Sequence, residues 1–268
     1  MRYRATLAYD GTAYHGFQRQ ARDIPTIQLA VEAAIEAVTE QRTVVLGAGR
    51  TDAGVHATGQ VISFDVAWPH SDEALLRALN ITLPPDIALQ DIRQQPGFHP
   101  RYDALARRYR YRVIDAVHRQ PLIRLRAWHI WGGLDGDAMR DAAMLLLGKH
   151  DFAAFGKPPH GENTVRTVMV SEWASHPQPP GTLWTYTIEA DAFLQHMVRR
   201  IAYMLVRVGQ GKITRDAFEA DFRRARLPDS APTAPAHGLT LEAVRYPDSP
   251  QESVTVWDHA GEETPAGG

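Results

Sequence analysis

The chain has 268 residues, a formal net charge of −2, 44% hydrophobic residues and no cysteine. That length can bury one large core or two smaller ones, and the missing thiols exclude disulfides, thiolate metal sites and cysteine nucleophiles together. No apolar run approaches a membrane span, and Met1-Arg2-Tyr3-Arg4 leads into alternation instead of a signal peptide's apolar core, so a cytoplasmic protein without membrane contact is expected.

Residues Arg2 to Asp10 place apolar Tyr3, Ala5, Leu7 and Tyr9 at alternate positions, the period of a half-buried strand, and Asp10-Gly11-Thr12 ends it. Thr26 is placed to cap a helix reaching about Glu40, with Ile27, Val31, Ala34, Ile35 and Val38 on one face. Strands are expected over Thr43 to Leu46 and Gln60 to Val66. A helix capped by Ser71 follows, running through Asn80, and Pro84-Pro85-Asp86 turns the chain into a strand over Ile87 to Ile92. The second half has strands at Leu105 to Ile114, Val165 to Trp173, Leu183 to Ala190 and Gly238 to Arg245. Its helices are expected over Asp137 to Leu147, Phe193 to Val208 and Arg215 to Arg226. This order predicts an α+β chain of two similar halves, residues 1–104 and 105–248, with mainly antiparallel sheets. The tail, 249–268, rich in proline, glycine and acids, is expected to be mobile.

The bland net charge hides a basic segment. From Arg101 to Arg126 eight arginines face only Asp103 and Asp115, a local excess of six positive charges. Arginine outnumbers lysine 26 to 3 in the whole chain, a ratio that genome composition or a hot habitat explains as readily as phosphate recognition.

Gly49-Arg50-Thr51-Asp52-Ala53-Gly54-Val55-His56 strands one carboxylate in a glycine-bounded loop between apolar runs. An aspartate beside an arginine is ionised at neutral pH and suits a nucleophile better than an acid. A turn aspartate that bonds backbone amides is the ordinary alternative. A phosphate-binding P-loop needs Gly-Lys-Ser/Thr and a dinucleotide fingerprint needs a third glycine at position 52; neither is present. Asp52 and His56 have no second ligand pair at suitable spacing, so no metal is expected.

The strand Arg107-Arg108-Tyr109-Arg110-Tyr111-Arg112-Val113 puts Arg108, Arg110 and Arg112 on one face and Tyr109, Tyr111 and Val113 on the other. Either the tyrosines are core and the arginines solvated, or the two serve as base-stacking and phosphate-holding groups for unpaired nucleic acid. On the helix expected from Phe193, the apolar stripe is Phe193, Met197, Ile201, Leu205 and Val208. The polar side carries His196, Arg199, Arg200, Tyr203 and Arg207, either a solvated face or an arginine aimed inward at an aspartate.

Taken with Tyr9-Asp10-Gly11-Thr12, Gly16-Phe17-Gln18-Arg19-Gln20, Gly59-Gln60-Val61 and Phe98-His99-Pro100-Arg101, these segments resemble the tRNA pseudouridine synthase A family. Gly148-Lys149-His150-Asp151-Phe152, His196-Met197-Val198-Arg199 and Ala234-Pro235-Ala236-His237-Gly238-Leu239 extend the match nearly end to end. The resemblance implies the pseudouridine synthase fold, two α+β halves around a central cleft, and an isomerase of uridines in the tRNA anticodon stem-loop, active as a homodimer without cofactor. It makes Asp52 the nucleophile and Arg199 its basic partner. Tyr109 would lie over the target base, Arg50 would help extrude the nucleotide, and His56, Arg107, Arg108 and Arg110 would contact substrate. Arg200 departs from the asparagine expected in relatives and leaves open which arginine faces the cleft. Two rivals remain: a nucleosidase or glycosidase, for which a second carboxylate in matching context is missing, and a non-catalytic RNA-binding module.

Overall fold

The computed structural model describes residues 1–20, 24–158, 161–226 and 231–247. The tail expected to be mobile, from Ser249, lies outside them. The chain forms strands β1 (Arg2–Tyr9), β2 (Leu46–Gly47), β3 (His56–Asp65), β4 (Ile87–Gln94), β5 (Ala106–Ala116), β6 (Trp128–Ile130), β7 (Gly148–Asp151), β8 (Val165–Gln178), β9 (Gly181–Ala190) and β10 (Leu239–Arg245). Its helices are α1 (Ile27–Thr39), α2 (Asp72–Thr82), α3 (Gly136–Met144), α4 (Met197–Gly209) and α5 (Arg215–Arg223).

The strands make one ten-stranded sheet in the order β4-β1-β3-β10-β5-β9-β8-β7, with β2 on β3 and β6 on β5. Pairing is antiparallel except for β10 with β3 and β5 with β6. The last strand is therefore inserted between a strand of the first half and one of the second. Alternation decides the faces: Tyr3, Ala5, Leu7 and Tyr9 of β1 are buried, as are Tyr109, Tyr111 and Val113 of β5 and Trp184, Tyr186 and Ile188 of β9. Helices supply the matching apolar surface through Ile27, Val31 and Ile35 of α1, Leu75 and Leu79 of α2, and Ile201 and Leu205 of α4. Phe218 and Phe222 of α5 close on Phe152 and Phe155 in an aromatic cluster.

Helix caps follow the side-chain chemistry that the sequence carries. Thr26, Ser71 and Thr214 each accept the backbone N–H three residues on, which satisfies a donor that the helix start leaves free. The strand expected over Thr43 to Leu46 shrinks to β2. Side chains of α1 claim the backbone there: the Val45 N–H donates to Glu32 Oε1 and Gln28 Nε2 donates to the Val45 carbonyl, so the ladder starts one residue later. Likewise α3 ends at Met144, because Leu146 and Leu147 donate to carbonyls three residues back and tighten the chain out of the α-helix. The helix expected from Phe193 begins at Met197. His196 is left-handed, with φ 61°, and Gln195 bonds Lys157, so residues 193–196 form an arm that lines a cleft instead of a first turn.

Candidate active site

A cleft of about 1240 Å³ opens on the tyrosine side of β5, lined by the Asp52 loop, the His15 to Gln20 segment, Arg101, Arg107, Tyr109 and residues 192–199. The Asp52 loop is fixed from several sides. Gln60 Nε2 donates to the Gly49 carbonyl at 2.7 Å, and the Thr51 carbonyl accepts the Phe17 N–H at 3.1 Å. The Tyr9 and Thr51 hydroxyls bond at 2.8 Å, and the Val55 N–H closes a turn on the Asp52 carbonyl at 3.1 Å. Only glycine fits at position 16, where φ is +94° and a Cβ would lie 2.7 Å from the Thr51 carbonyl oxygen. Asp52 thus sits on a rigid support, with its side chain 31% exposed.

Arg199 NH1 donates to Asp52 Oδ2 at 2.7 Å. Its other nitrogens are anchored: Nε donates to the Ala234 carbonyl at 2.9 Å and NH2 to the Thr233 hydroxyl at 3.1 Å. A guanidinium anchored at two nitrogens presents the third to the carboxylate and loses little entropy in doing so. Arg200 turns away, donating to the carbonyls of Phe155 and Gln195 at 3.0 Å each, so Arg199 is the arginine in the cleft.

Tyr109 lies on the same side, 8% exposed, with the Phe193 ring edge-on at 5.1 Å between centroids. Burial pushes its hydroxyl up to about 12, with Arg107 opposing and Asp52 adding, so the phenol is protonated at neutral pH. Arg107 shares this face: it donates to the carbonyls of Arg101 at 2.7 Å, Asp191 at 2.8 Å and Ala48 at 3.2 Å, which ties the two halves across the cleft floor. Arg50 is exposed and lines the cleft.

Asp52, Arg199, Tyr109, Arg107 and Arg50 are therefore brought together. His56, Arg108 and Arg110 are not. The His56 ring is buried, its Nδ1 3.1 Å from the Gly11 N–H and its Nε2 2.9 Å from the Leu125 carbonyl, and it lines a separate pocket with Arg110. Arg108 and Arg110 point to the other sheet face, paired with Glu189 and Glu242. Alternation predicts this split for Arg108 and Arg110, while the position of His56 depends on the parallel β3–β10 seam, which no local pattern shows.

Sequence reasoning singled out no role for His196, whose Nε2 stands 3.5 Å from Asp52 Oδ1. Burial holds its imidazole below the ordinary value; Asp52 pulls it up, and Arg200 and Arg199 push it down. Its place next to an arginine on a polar helix face was the available signal. Phe193, expected in the apolar stripe, instead buttresses Tyr109.

A carboxylate paired with a buttressed arginine, in a cleft that a buried tyrosine and several more arginines line, suits an enzyme that acts on an anionic substrate. Residues 5–103 and 142–247 match the family model described as tRNA pseudouridine synthase, and the chain belongs to that family. It is 45% identical over 243 residues to the tRNA pseudouridine synthase A of Chloroflexus aurantiacus, covering 90% of this chain and 87% of that protein. The protein of that name from Methylacidiphilum infernorum is 41% identical over 254 residues, covering 94% and 97%. That from Myxococcus xanthus is 39% identical, covering 93% of each.

Proposed function

We propose that Asp52 is the nucleophile with which this chain isomerises uridine to pseudouridine in the anticodon stem-loop of tRNA. The observation that carries the reading is the 2.7 Å Arg199–Asp52 pair in the large cleft that Tyr109 also lines. The reaction breaks the N1–C1′ glycosidic bond, turns the uracil and joins C5 to C1′; C5 loses its proton and N1 gains one. Atoms and electrons balance within the nucleoside, so the chemistry calls for no cofactor. Both electrophilic carbons open to attack, C6 of the base and C1′ of the sugar, demand an ionised carboxylate, and Arg199 supplies its countercharge.

A stem base must leave its stack, at about a few kcal/mol, before Asp52 can reach it. In this reading Tyr109 stacks on the extruded uracil, Arg50 fills or holds the vacated position, and Arg107 and Arg101 add positive potential for the flanking backbone. His56, Arg108 and Arg110, facing away from Asp52, touch no part of the target uridine. A cytoplasmic homodimer that holds one tRNA across both copies follows from the family resemblance. Among the described residues no helix is long and apolar enough to cross a membrane.

Chemical mapping of pseudouridine in an unmodified tRNA transcript, after incubation with the enzyme, tests the substrate assignment. Conversion confined to the anticodon arm is expected. Conversion elsewhere would reject the stem-loop assignment and leave the reaction class in place.

A further inference from the structure

A second concavity, about 210 Å³, lies on the face of β5 opposite Tyr109 and Tyr111, where Arg110, Arg112, Arg126, Asp10, Glu242 and His56 line it. Three guanidiniums meet two carboxylates there. Arg126 donates to Asp10 Oδ2 at 2.5 Å, and Arg110 pairs with Glu242. His56 accepts the Gly11 N–H at Nδ1, which also stands 3.1 Å from Asp10 Oδ1, and turns Nε2 to the Leu125 and His237 carbonyls; burial, with Arg126 adding, holds its pKa below the ordinary value against the pull of Asp10, so it is counted as neutral. One positive charge is therefore left over, and it falls on Arg112. Half-buried in the pocket wall, the Arg112 side chain makes no hydrogen bond or ion pair among the described residues; the charges that act on it are Arg110, Glu242 and Arg126. The Nε of Arg110 is also buried without an acceptor.

Holding an uncompensated guanidinium half out of water beside two others is costly, and an anion that accepts several N–H donors offsets that cost. Guanidinium forks match the oxygens of a tetrahedral oxyanion, and convergence from one strand and a loop suits a phosphate better than a planar carboxylate. We propose that this pocket is a phosphate-binding site, distinct from the Asp52 cleft, with Arg112 as its principal ligand. Its phosphate is either a backbone phosphate of the RNA or a free phosphate ester.

Thermal unfolding of the full chain with increasing inorganic phosphate, at ionic strength held constant with chloride, tests the site without RNA, so its outcome is independent of the Asp52 proposal. Wild type should show a saturable rise in Tm that Arg112→Gln lacks. Arg112→Lys, which keeps the charge but not the fork, should need roughly tenfold more phosphate for the same rise, and this variant decides the question if Arg112→Gln does not fold. No rise in wild type, an equal rise in Arg112→Gln, or an unchanged phosphate midpoint in Arg112→Lys would overturn the proposal. A second arm measures tRNA affinity against salt: a slope reduced by about 1 in Arg112→Gln assigns the pocket to an RNA backbone phosphate. An unchanged slope, with the phosphate response lost, assigns it to a free ester.

Discussion

At the residue scale the centre of the molecule is a contact between positions 147 residues apart, Asp52 and Arg199. Arg199 is buttressed by Ala234 and Thr233, so Arg199→Lys loses the fork geometry as well as two anchors, and Arg199→Met loses the charge. Single-turnover conversion should fall by roughly 10²- to 10³-fold in Arg199→Met, with a smaller loss in Arg199→Lys. Equal rates in all three proteins would remove the role. A pH prediction also belongs here. Burial lowers the pKa of His56, His196 and His237 in the folded chain, so the unfolded chain binds protons first as pH falls. Their neutral forms add nothing against folding above the ordinary histidine value near 6.5, and stability is lost as pH drops from there through the lower folded values. Urea melts at pH 7.5 and 5.5 should show the lower midpoint at pH 5.5, and His56→Gln should narrow the difference. The meeting of Asp52, Tyr109 and Arg199 in one cleft was legible in the sequence because each sits in a segment that the family resemblance covers. His196 was not, since its meaning lies in a left-handed turn that aims it at a distant loop.

At the element scale the periodicities predicted most strands and helices, because alternation and caps are written into neighbouring residues. The boundaries moved where a distant group took a backbone partner, as Glu32 and Gln28 do at Val45. The strand β5 shows how far a pattern reaches: alternation separated Arg108, Arg110 and Arg112 from Tyr109 and Tyr111, but not which face would be the cleft. Arg107 joins Tyr109 on the cleft side by the same arithmetic, a consequence that its place in an arginine run conceals. The support under Asp52 gives a test on this scale. Gly16→Ala forces a Cβ against the Thr51 carbonyl at a positive φ, so it should destabilise the chain by about 1–2 kcal/mol and slow conversion by displacing the loop. A wild-type midpoint and rate in denaturant melts and single-turnover assays would show that the loop does not depend on this contact.

At the scale of the whole molecule, one sheet runs through both halves, and β10 closes it by pairing with β3 on one side and β5 on the other. An α+β chain was predictable from element order. The insertion of the last strand at the seam was not, because a strand's own sequence does not name its neighbours. Charge changes meaning on this scale too. The basic segment from Arg101 to Arg126 is partly answered in space by Glu189, Glu242 and Asp10, whereas Arg50, Arg101 and Arg107 line the cleft. Binding of tRNA should weaken linearly in log–log terms with added salt, as phosphate contacts release counterions, and a flat response would count against a nucleic acid in this cleft. The most direct test of the account compares Asp52→Asn with wild type on one unmodified tRNA transcript, measuring affinity and single-turnover pseudouridine formation together. Affinity within a few-fold of wild type and no detectable conversion are expected; conversion at a wild-type rate by Asp52→Asn would contradict the role of Asp52 as nucleophile.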